Sequence, residues 1–322
     1  MAKQTQTGKA FEYSILIEFY HRLKTQTKIE IVDNEAYLKA KSCFNGFSET
    51  EKDEYRLNAS FSVNFLIDIE PRLSHGISEK DILQLEIAYD KMGQKGDVRD
   101  VLFIRSLQKW EIGISAKNNH RALKHSRLSG KLNFGKEWVG NSCSDNYFKE
   151  IAPVFDRLQS IRKSDKTTKW DDVFSDKFKE VYTPILKAFR KEIYLLQKKD
   201  ENEFASKLVS YLVGKYDFYK LIKSKKKLEI QAFNMYGTLN KALNKIKPKA
   251  TVSRLKLPTR LIELSFKKGH ENTLLAYFDE GWQISFRIHS ASSKVESSLK
   301  FDINLISSPH TLFTNHILIG EK

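Results

Sequence analysis

The stretch GDVRDVLFIRSLQKWEIGISAK, residues 96–117, predicts two antiparallel β-strands joined by a short turn. An apolar run that begins at Val101 forms the first strand, and the polar SLQK after it turns the chain. The second strand, residues 110–117, alternates apolar with polar or small side chains, so the two kinds point to opposite faces. Its polar face carries Glu111, Gly113, Ser115 and Lys117.

This hairpin brings an acid close to a lysine. A tight turn near residues 107 and 108 places Asp100 roughly opposite Ser115. Lys117 follows Ser115 on the same face, and Gly113 leaves room beside them. Asp97 is a second candidate for the acid, but Asp100 directly precedes the apolar run and is preferred.

A helix is predicted at residues 8–24, GKAFEYSILIEFYHRLK. Apolar residues recur there every three to four positions and form one stripe. Glu12 falls on this stripe, which is unusual because burying an unpaired charge is costly. We therefore count Glu12 among the candidate functional residues.

The rest of the chain predicts an α/β (α+β) fold. Alternation at residues 83–89 adds a strand, which gives a three-strand antiparallel meander behind the N-terminal helix. Ser48 and Glu51 have the spacing of a capping box, so a second helix begins there. Apolar spacing predicts mainly helix from about 146 to 247, including a solvated basic face at residues 220–228. Strands follow the unpatterned stretch 247–258, so the expected segments are 1–145, 146–250 and 251–322, unless all three form one compact unit.

The charge balance favours a polyanionic partner. The 322 residues include 55 Lys and Arg against 40 Asp and Glu, a net charge of +15. Nucleic acid is the first expectation, an anionic membrane surface the second, and a merely basic soluble protein the third. Two cysteines form neither a disulfide framework nor a zinc site, and no apolar segment is long enough for a membrane span. With no apolar signal core near the N-terminus, these features predict a cytoplasmic protein.

The residues of the hairpin and the helix are those that phosphodiester hydrolysis needs. A divalent metal ion takes hard oxygen ligands, usually carboxylates, and a nearby cation neutralises the charge that develops on phosphate. The candidate metal ligands are Glu12, Asp97 or Asp100, and Glu111, with Lys117 as the cation. Each residue alone is more often an ordinary turn former or solvated side chain. Their combination in helix–strand–strand order favours a nuclease.

This arrangement resembles the core of the PD-(D/E)xK nuclease superfamily. There one acid opens a strand, an acid-x-lysine triplet closes the next strand, and a glutamate on the preceding helix often completes the metal site. The triplet here is Ser115-Ala116-Lys117, with serine in place of the second acid. Glu111 and Glu12 are the candidates to supply the missing carboxylate.

A closer resemblance covers nearly the whole chain. The strings GKAFEY, GDVRDVL, WEIGISAKNNHRALKHSRLS and GWQISFRIHSASSKVESSLKFDI are similar to the HaeIII family of type II restriction endonucleases. The resemblance implies Mg²⁺-dependent cleavage of double-stranded DNA within GGCC, leaving blunt ends. A palindromic target suggests a homodimer. A cognate methyltransferase would act on the same sequence without needing contact with this chain.

Two stretches are candidates for contacting the DNA. The basic stretch after the second strand of the hairpin would contact the DNA backbone beside the scissile phosphate. For His120 and His125 in this stretch, a phosphate contact or a structural role is favoured over acid–base catalysis. The alternating strand WQISFRIH would read bases, because Arg and Gln recognise guanine and adenine edges in the major groove. Together they give the predicted DNA contacts Asn119, His120, Arg121, Lys124, His125, Arg127, Gln283, Ser285, Arg287, His289 and Lys294. Segment 1–145 would then be the catalytic core and 251–322 the DNA-recognition region.

The main alternative is a sequence-specific DNA-binding protein without catalysis. It explains the charge and the C-terminal strands, but assigns no purpose to Glu12, Asp100, Glu111 and Lys117. A modification methyltransferase would need a glycine-rich cofactor loop after a strand, and the sequence has none.

Overall fold

A computed structural model describes residues 3–89, 96–119 and 122–319, and for His125 it describes the backbone alone. The α-helices of this part of the chain are α1 Lys3–Leu23, α2 Glu35–Asn45, α3 Glu49–Ile69, α4 Pro71–Ser74, α5 Phe134–Val139, α6 Asp145–Ser164, α7 Trp170–Val173, α8 Thr183–Lys199 and α9 Phe204–Val213. The strands are β1 Ile29–Ile31, β2 Leu83–Ile87, β3 Val101–Arg105, β4 Trp110–Asn118, β5 Ala122–Ser129, β6 Phe218–Lys223, β7 Lys227–Phe233, β8 Leu261–Phe266, β9 Thr273–Phe278, β10 Gln283–His289, β11 Ser298–Ser307 and β12 Phe313–Leu318.

The chain divides into two compact units. Unit 1 consists of Met1–Arg121, Gly214–Leu255 and Thr311–Lys322, and unit 2 of Ala122–Val213 and Lys256–His310. Each unit therefore draws on more than one of the segments 1–145, 146–250 and 251–322 that we proposed from the sequence. That division stays a proposal about where functions lie.

Unit 1 is built on a seven-stranded sheet in the order β1-β2-β3-β4-β6-β7-β12. The pairs β1–β2 and β4–β6 are parallel, and the other neighbours are antiparallel. The predicted meander is present as β2, β3 and β4. Helix α1 covers it with the predicted apolar stripe, whose members Phe11, Ile15, Leu16, Phe19 and Leu23 are fully buried.

The prediction of helix beyond α9 was wrong. Gly214, with a φ of +137°, follows α9, and the chain then forms the antiparallel hairpin β6–β7. Every residue of β6 is buried, its two lysines included, so the sequence lacks the alternation of apolar and polar residues that indicates a strand. The solvated basic face expected at residues 220–228 is also wrong in part. Lys220 and Lys223 are buried, and Nζ of Lys223 lies 2.6 Å from Oε1 of Glu54.

Unit 2 contains a five-stranded antiparallel sheet in the order β5-β11-β10-β9-β8. The four predicted C-terminal strands are present as β8, β9, β10 and β11. The basic segment after the hairpin β3–β4, expected only to contact DNA, is strand β5 and pairs with β11. Apolar side chains of one face, among them Ile284, Phe286, Phe301 and Ile303, are buried, which leaves the other face polar.

The helices and the mainly antiparallel sheets confirm the predicted mixed α/β fold class. The predicted capping box is present, because Ser48 Oγ accepts from the Glu51 amide and Glu51 Oε2 accepts from the Ser48 amide. Among the helices of the described ranges, none has the length and apolarity required to cross a membrane.

Candidate active site

The hairpin β3–β4 places Asp100 as the sequence predicted. Val101 pairs with Ile114, so Asp100 stands opposite Ser115, and its amide donates to the Ile114 carbonyl at 2.7 Å. The Ala116 amide donates to Asp100 Oδ2 at 2.8 Å, and Ser115 Oγ lies 3.4 Å from the same oxygen. The backbone of β4 therefore fixes the orientation of the Asp100 carboxylate.

Lys117 completes this contact from the end of β4. Its Nζ lies 3.0 Å from Asp100 Oδ2, and the two side chains are 24% and 23% exposed. Solvent therefore reaches both groups, as it must if they are to meet a large substrate. All hydrogen bonds that described residues donate to the Asp100 side chain end on Oδ2.

Glu12 reaches the same site from α1. Its side chain is buried, and Lys9, one turn earlier, donates to its Oε2 at 2.9 Å. Burial raises the pKa of Glu12 to about 8, the negative charge of Asp100 adds to this rise, and Lys9 and Lys117 oppose it. Glu12, Asp100 and Lys117 are thus close enough for their charges to interact. These three residues are candidates for catalysis, and we call them the catalytic cluster.

Asp97 and Glu111 lie in a different group around Arg99. Arg99 donates to both oxygens of Asp97, from Nε at 2.8 Å and from Nη2 at 2.7 Å. Its Nη2 also lies 2.6 Å from Glu111 Oε1. The side chains of Arg99 and Asp97 are 4% and 5% exposed, whereas that of Glu111 is 41% exposed. We call these residues the Arg99 group.

Gly113 makes room for the Arg99 group. The Arg99 side chain crosses β4 at this glycine, where an added Cβ would lie 2.7 Å from the Arg99 Cβ and 2.8 Å from its Cγ. The guanidinium of Arg99 also lies over the ring of Tyr216, 4.0 Å from the ring centre. We expected the space beside Gly113 to be open for the reacting groups, and Arg99 occupies it.

The four candidate carboxylates, of which Asp97 and Asp100 were alternatives, do not all lie at one site. Within the described ranges, no group of three or more His, Cys, Asp and Glu side chains is arranged to hold a metal ion. Glu12 and Asp100 are the two carboxylates that share a site, and each has an oxygen to which no described residue donates. Two carboxylates with available oxygens fit a hard divalent cation, which prefers oxygen ligands.

The predicted base-reading strand is β10. Arg287 is exposed on the polar face of the unit 2 sheet, Gln283 and His289 are partly exposed, and Ser285 is buried. Arg287 Nη2 forms an ion pair with Asp302 Oδ2 on β11. Lys294 is exposed, between β10 and β11.

The predicted backbone-gripping residues have different positions. Arg127 is exposed on β5, and Asn119 is exposed at the end of β4. Lys124 does not fit a DNA contact, because it is buried, with Nζ 3.3 Å from the ring centre of Tyr211 and donating to the Tyr211 carbonyl at 3.2 Å. His120, Arg121 and the side chain of His125 lie outside the described part of the chain.

Three residues of these sites were missed from the sequence. Lys9 stands one helical turn before Glu12, at a spacing that places their side chains together. Arg99 lies between the two candidate aspartates, and Gly113, a glycine inside a strand, indicated a close approach without indicating which side chain makes it. Asp302 is a lone acid in an apolar strand, and only the strand register pairs it with Arg287.

Comparison with known proteins identifies the class. The sequence profile of the HaeIII restriction endonuclease family matches residues 8–309. The type II restriction enzyme HaeIII of Haemophilus aegyptius is 41% identical over 313 residues, which cover 96% of each chain. No solved structure matches the chain.

The carboxylates and lysine of the catalytic cluster, on a helix and an adjacent hairpin, thus belong to a type II restriction endonuclease, a site-specific deoxyribonuclease that acts on double-stranded DNA. The chain belongs to the HaeIII restriction endonuclease family. Type II restriction endonucleases generally need a divalent metal ion.

Proposed function

We infer that this endonuclease uses Mg²⁺ to hydrolyse both strands of DNA within GGCC and leaves blunt ends. The target and the ends rest on the family resemblance. The observation that supports the chemistry is the catalytic cluster, in which Lys117 Nζ lies 3.0 Å from Asp100 Oδ2 and Glu12 interacts electrostatically with both residues.

Glu12 and Asp100 would hold the Mg²⁺ ion in this proposal. When bound, Mg²⁺ supplies positive charge that stabilises the pentavalent phosphorane and makes water more acidic. Lys117 donates to the attacking hydroxide and neutralises charge on the phosphate oxygen. Ser115 and the Ala116 amide keep the Asp100 carboxylate in place. Asp100 is preferred over Asp97, because both oxygens of Asp97 are bound by Arg99.

Glu111 would be the third carboxylate, in place of the acid that the superfamily has at Ser115. One of its oxygens is bound by Arg99, and its side chain is 41% exposed. Glu111 can leave Arg99 without isolating a buried charge, because Asp97 keeps two hydrogen bonds to the guanidinium. Asp97, in contrast, would serve Arg99 alone.

The DNA would contact exposed residues of both units. Asn119 follows the catalytic strand, and Arg127, Gln283, Arg287, His289 and Lys294 belong to unit 2. His120, Arg121 and His125 stay in the proposal as backbone contacts on sequence grounds alone. Lys124 and Ser285 are withdrawn from it, because both side chains are buried.

The enzyme would act as a homodimer, since a two-fold target places one active site on each strand. A methyltransferase that modifies the same sequence would protect the host DNA without contacting this chain. The expected location is the bacterial cytoplasm, where the DNA to be cut arrives.

Digestion of a plasmid of known sequence with Mg²⁺, followed by mapping of the ends, tests the proposal. We expect blunt cuts within every GGCC site and none at sites that the methyltransferase has modified. Parallel digestion with Ca²⁺ or EDTA in place of Mg²⁺ should leave the plasmid intact. Cuts at another sequence would reject GGCC, and intact DNA with Mg²⁺ would reject the assigned chemistry.

A further inference from the structure

The polar face of the unit 2 sheet has one acid at its centre. Strand register places Asp302 of β11 directly opposite Arg287 of β10 on one side and opposite His125 of β5 on the other. Residues directly opposite each other in a sheet project to the same face. The acid therefore belongs to the same surface as the exposed Arg287, although no sequence pattern links the two residues.

Asp302 contacts two side chains of β10. Its Oδ2 forms an ion pair with Arg287 Nη2, and its Oδ1 lies 3.2 Å from His289 Nε2. The side chain of Asp302 is only 11% exposed, whereas that of Arg287 is 54% exposed. A carboxylate at the sheet surface thus holds one terminal nitrogen of a guanidinium on a side chain that is half exposed to solvent.

Cations lie beside this pair. Lys300 pairs in register with His289 on one side and with Arg127 on the other, so all three share the face of Asp302. Arg127 is exposed and donates from Nη1 to Ser298 Oγ at 2.8 Å. Several cations around one oriented arginine fit a polyanion that also presents specific hydrogen-bond acceptors. DNA is such a partner, because its phosphates carry negative charge and its major groove presents acceptors on the base edges.

We propose that Asp302 is a positioning residue that holds Arg287 in the orientation for reading one guanine of the target. This inference rests on the proposed function and names the pair that determines part of its specificity. Arg287 would contact the base, and Asp302 would act through it.

The chemistry of the guanidinium supports this division. Asp302 engages Nη2, which leaves both hydrogens of Nη1 and the second hydrogen of Nη2 for other acceptors. Guanine presents O6 and N7 as a pair of acceptors that a forked donor can satisfy together. A free arginine would lose side-chain entropy on binding, and it could turn to phosphate instead. Asp302 orders the Arg287 side chain before DNA binds, so less entropy is lost on binding and a turn toward phosphate is disfavoured.

This role has a distinct signature. Asp302 also neutralises part of the charge of Arg287, so its removal should weaken binding little and change discrimination much. A merely structural carboxylate would affect all DNA sequences equally, and so would a phosphate contact.

The experiment measures discrimination rather than activity. The cleavage site of the wild-type enzyme is first mapped, and single-turnover rates are then measured on duplexes in which each guanine is replaced by adenine, one position at a time. For Asp302→Asn we expect the preference for the mapped site to fall about 10-fold at one guanine position and to stay unchanged at the others. Arg287→Ala should lose discrimination at that same position. The double variant should lose no more than Arg287→Ala alone, because Asp302 acts through Arg287.

Two control variants distinguish positioning of Arg287 from a general loss of charge. Lys300→Ala removes a neighbouring cation and should lower the rates on all duplexes equally. Asp279→Asn removes a carboxylate that accepts from the Thr259 and Arg260 amides in the same unit, and it should leave discrimination unchanged. Anisotropy measurements of the same duplexes without Mg²⁺ cover any variant that binds but no longer cuts.

The inference is overturned if folded Asp302→Asn keeps the wild-type preference at every guanine, or if the losses of the two single variants add in the double variant. If Asp302→Asn does not fold, Asp302→Glu keeps the charge and displaces it, and the same position-specific loss is expected. Failure of the proposed function is separate, since the wild-type enzyme would then leave the plasmid intact or give a mapped site other than GGCC.

Discussion

Nζ of Lys117 lies 3.0 Å from Oδ2 of Asp100, across the hairpin that the apolar pattern of residues 101–116 defines. The contact joins the first residue before β3 to a residue near the end of β4, so the strand register alone brings the two charges together. Asp100 is also held by the Ala116 amide. Removing the lysine should therefore affect chemistry more than folding.

Lys117→Ala should reduce single-turnover cleavage by at least about 100-fold, because the charge that develops on phosphate loses its neutralising cation. DNA binding should change little, since one of many cations is lost. Rapid-quench cleavage and anisotropy of a duplex that contains the mapped site measure the two effects. Lys80→Ala, an exposed lysine of unit 1, is the matched control. Full activity of Lys117→Ala would remove this residue from the mechanism.

Asp97→Asn and Asp100→Asn should have opposite effects. Asp97→Asn leaves the buried Arg99 with Glu111 as its remaining anion and should lower the free energy of unfolding by about 3 kcal/mol, whereas cleavage should fall only in part, because Glu12 and Asp100 stay in place while Arg99 retains Glu111. Asp100→Asn should keep the stability and lose cleavage. Urea unfolding and single-turnover rates of both variants decide the assignment. A stable, inactive Asp97→Asn beside an active Asp100→Asn would reverse it.

The raised pKa of Glu12 predicts pH-dependent metal binding. With a pKa of about 8, Glu12 is protonated at neutral pH, and binding of Mg²⁺ must release that proton. The Kd for Mg²⁺ should therefore fall about tenfold per pH unit up to pH 8 and level off above it. Calorimetric titration of the DNA-free enzyme at several pH values measures this slope. Glu12→Gln should remove the slope and Glu18→Gln should keep it, whereas a flat wild-type profile would reject Glu12 as a ligand.

Gly113→Ala should destabilise the enzyme by about 2 kcal/mol, because the new methyl group overlaps the buried Arg99 side chain. Gly8→Ala is a matched control, since no atom lies within 4 Å of an added Cβ there and the residue is helical. It should be neutral or slightly stabilising. Thermal unfolding of both variants tests the close approach of Arg99 to β4, and equal melting temperatures would contradict it.

The positions of the catalytic cluster were predictable because Glu12 and Lys117 lie on regular elements and Asp100 directly precedes one. The periodicity of α1 placed Glu12 on the buried side, and the alternation of β4 placed Lys117 on the face of Asp100. The Arg99 group was not predictable in the same way. Arg99 lies before β3, outside any alternating strand, so no pattern indicates that its side chain crosses Gly113.

Strand pairing between residues far apart in sequence is the part of the fold that could not be predicted. Strands β6 and β7 join the sheet of unit 1 about 100 residues after β4, and the spacing of their apolar residues together with the lysines of β6 favoured a helix with a basic face. Asp302 meets Arg287 only through the register of β10 and β11. Contacts of this kind depend on which strands become neighbours, and local sequence patterns do not contain that information.

Glu70 predicts a pH-dependent stability that is unrelated to catalysis. It is fully buried in unit 1, where Oε1 accepts from Tyr219 Oη at 2.7 Å and from the Asn240 amide at 2.6 Å. Burial raises its pKa from 4.5 to about 7, and the two hydrogen bonds oppose this rise only in part. Between pH 4.5 and 7 the folded enzyme thus holds a proton that the unfolded chain has released.

The contribution of Glu70 is fully present below pH 4.5 and should be lost as the pH rises through 7, by on the order of 3 kcal/mol in total. Other carboxylates titrate in the same range, so the informative quantity is the difference between wild type and Glu70→Gln, which cannot ionise. Urea unfolding at pH 5 and pH 8 should show the variant gaining stability relative to wild type at the higher pH. Glu30→Gln, an exposed carboxylate of the same unit, should show no such change. A difference between wild type and Glu70→Gln that is equal at both pH values would show that the folded enzyme holds Glu70 ionised throughout.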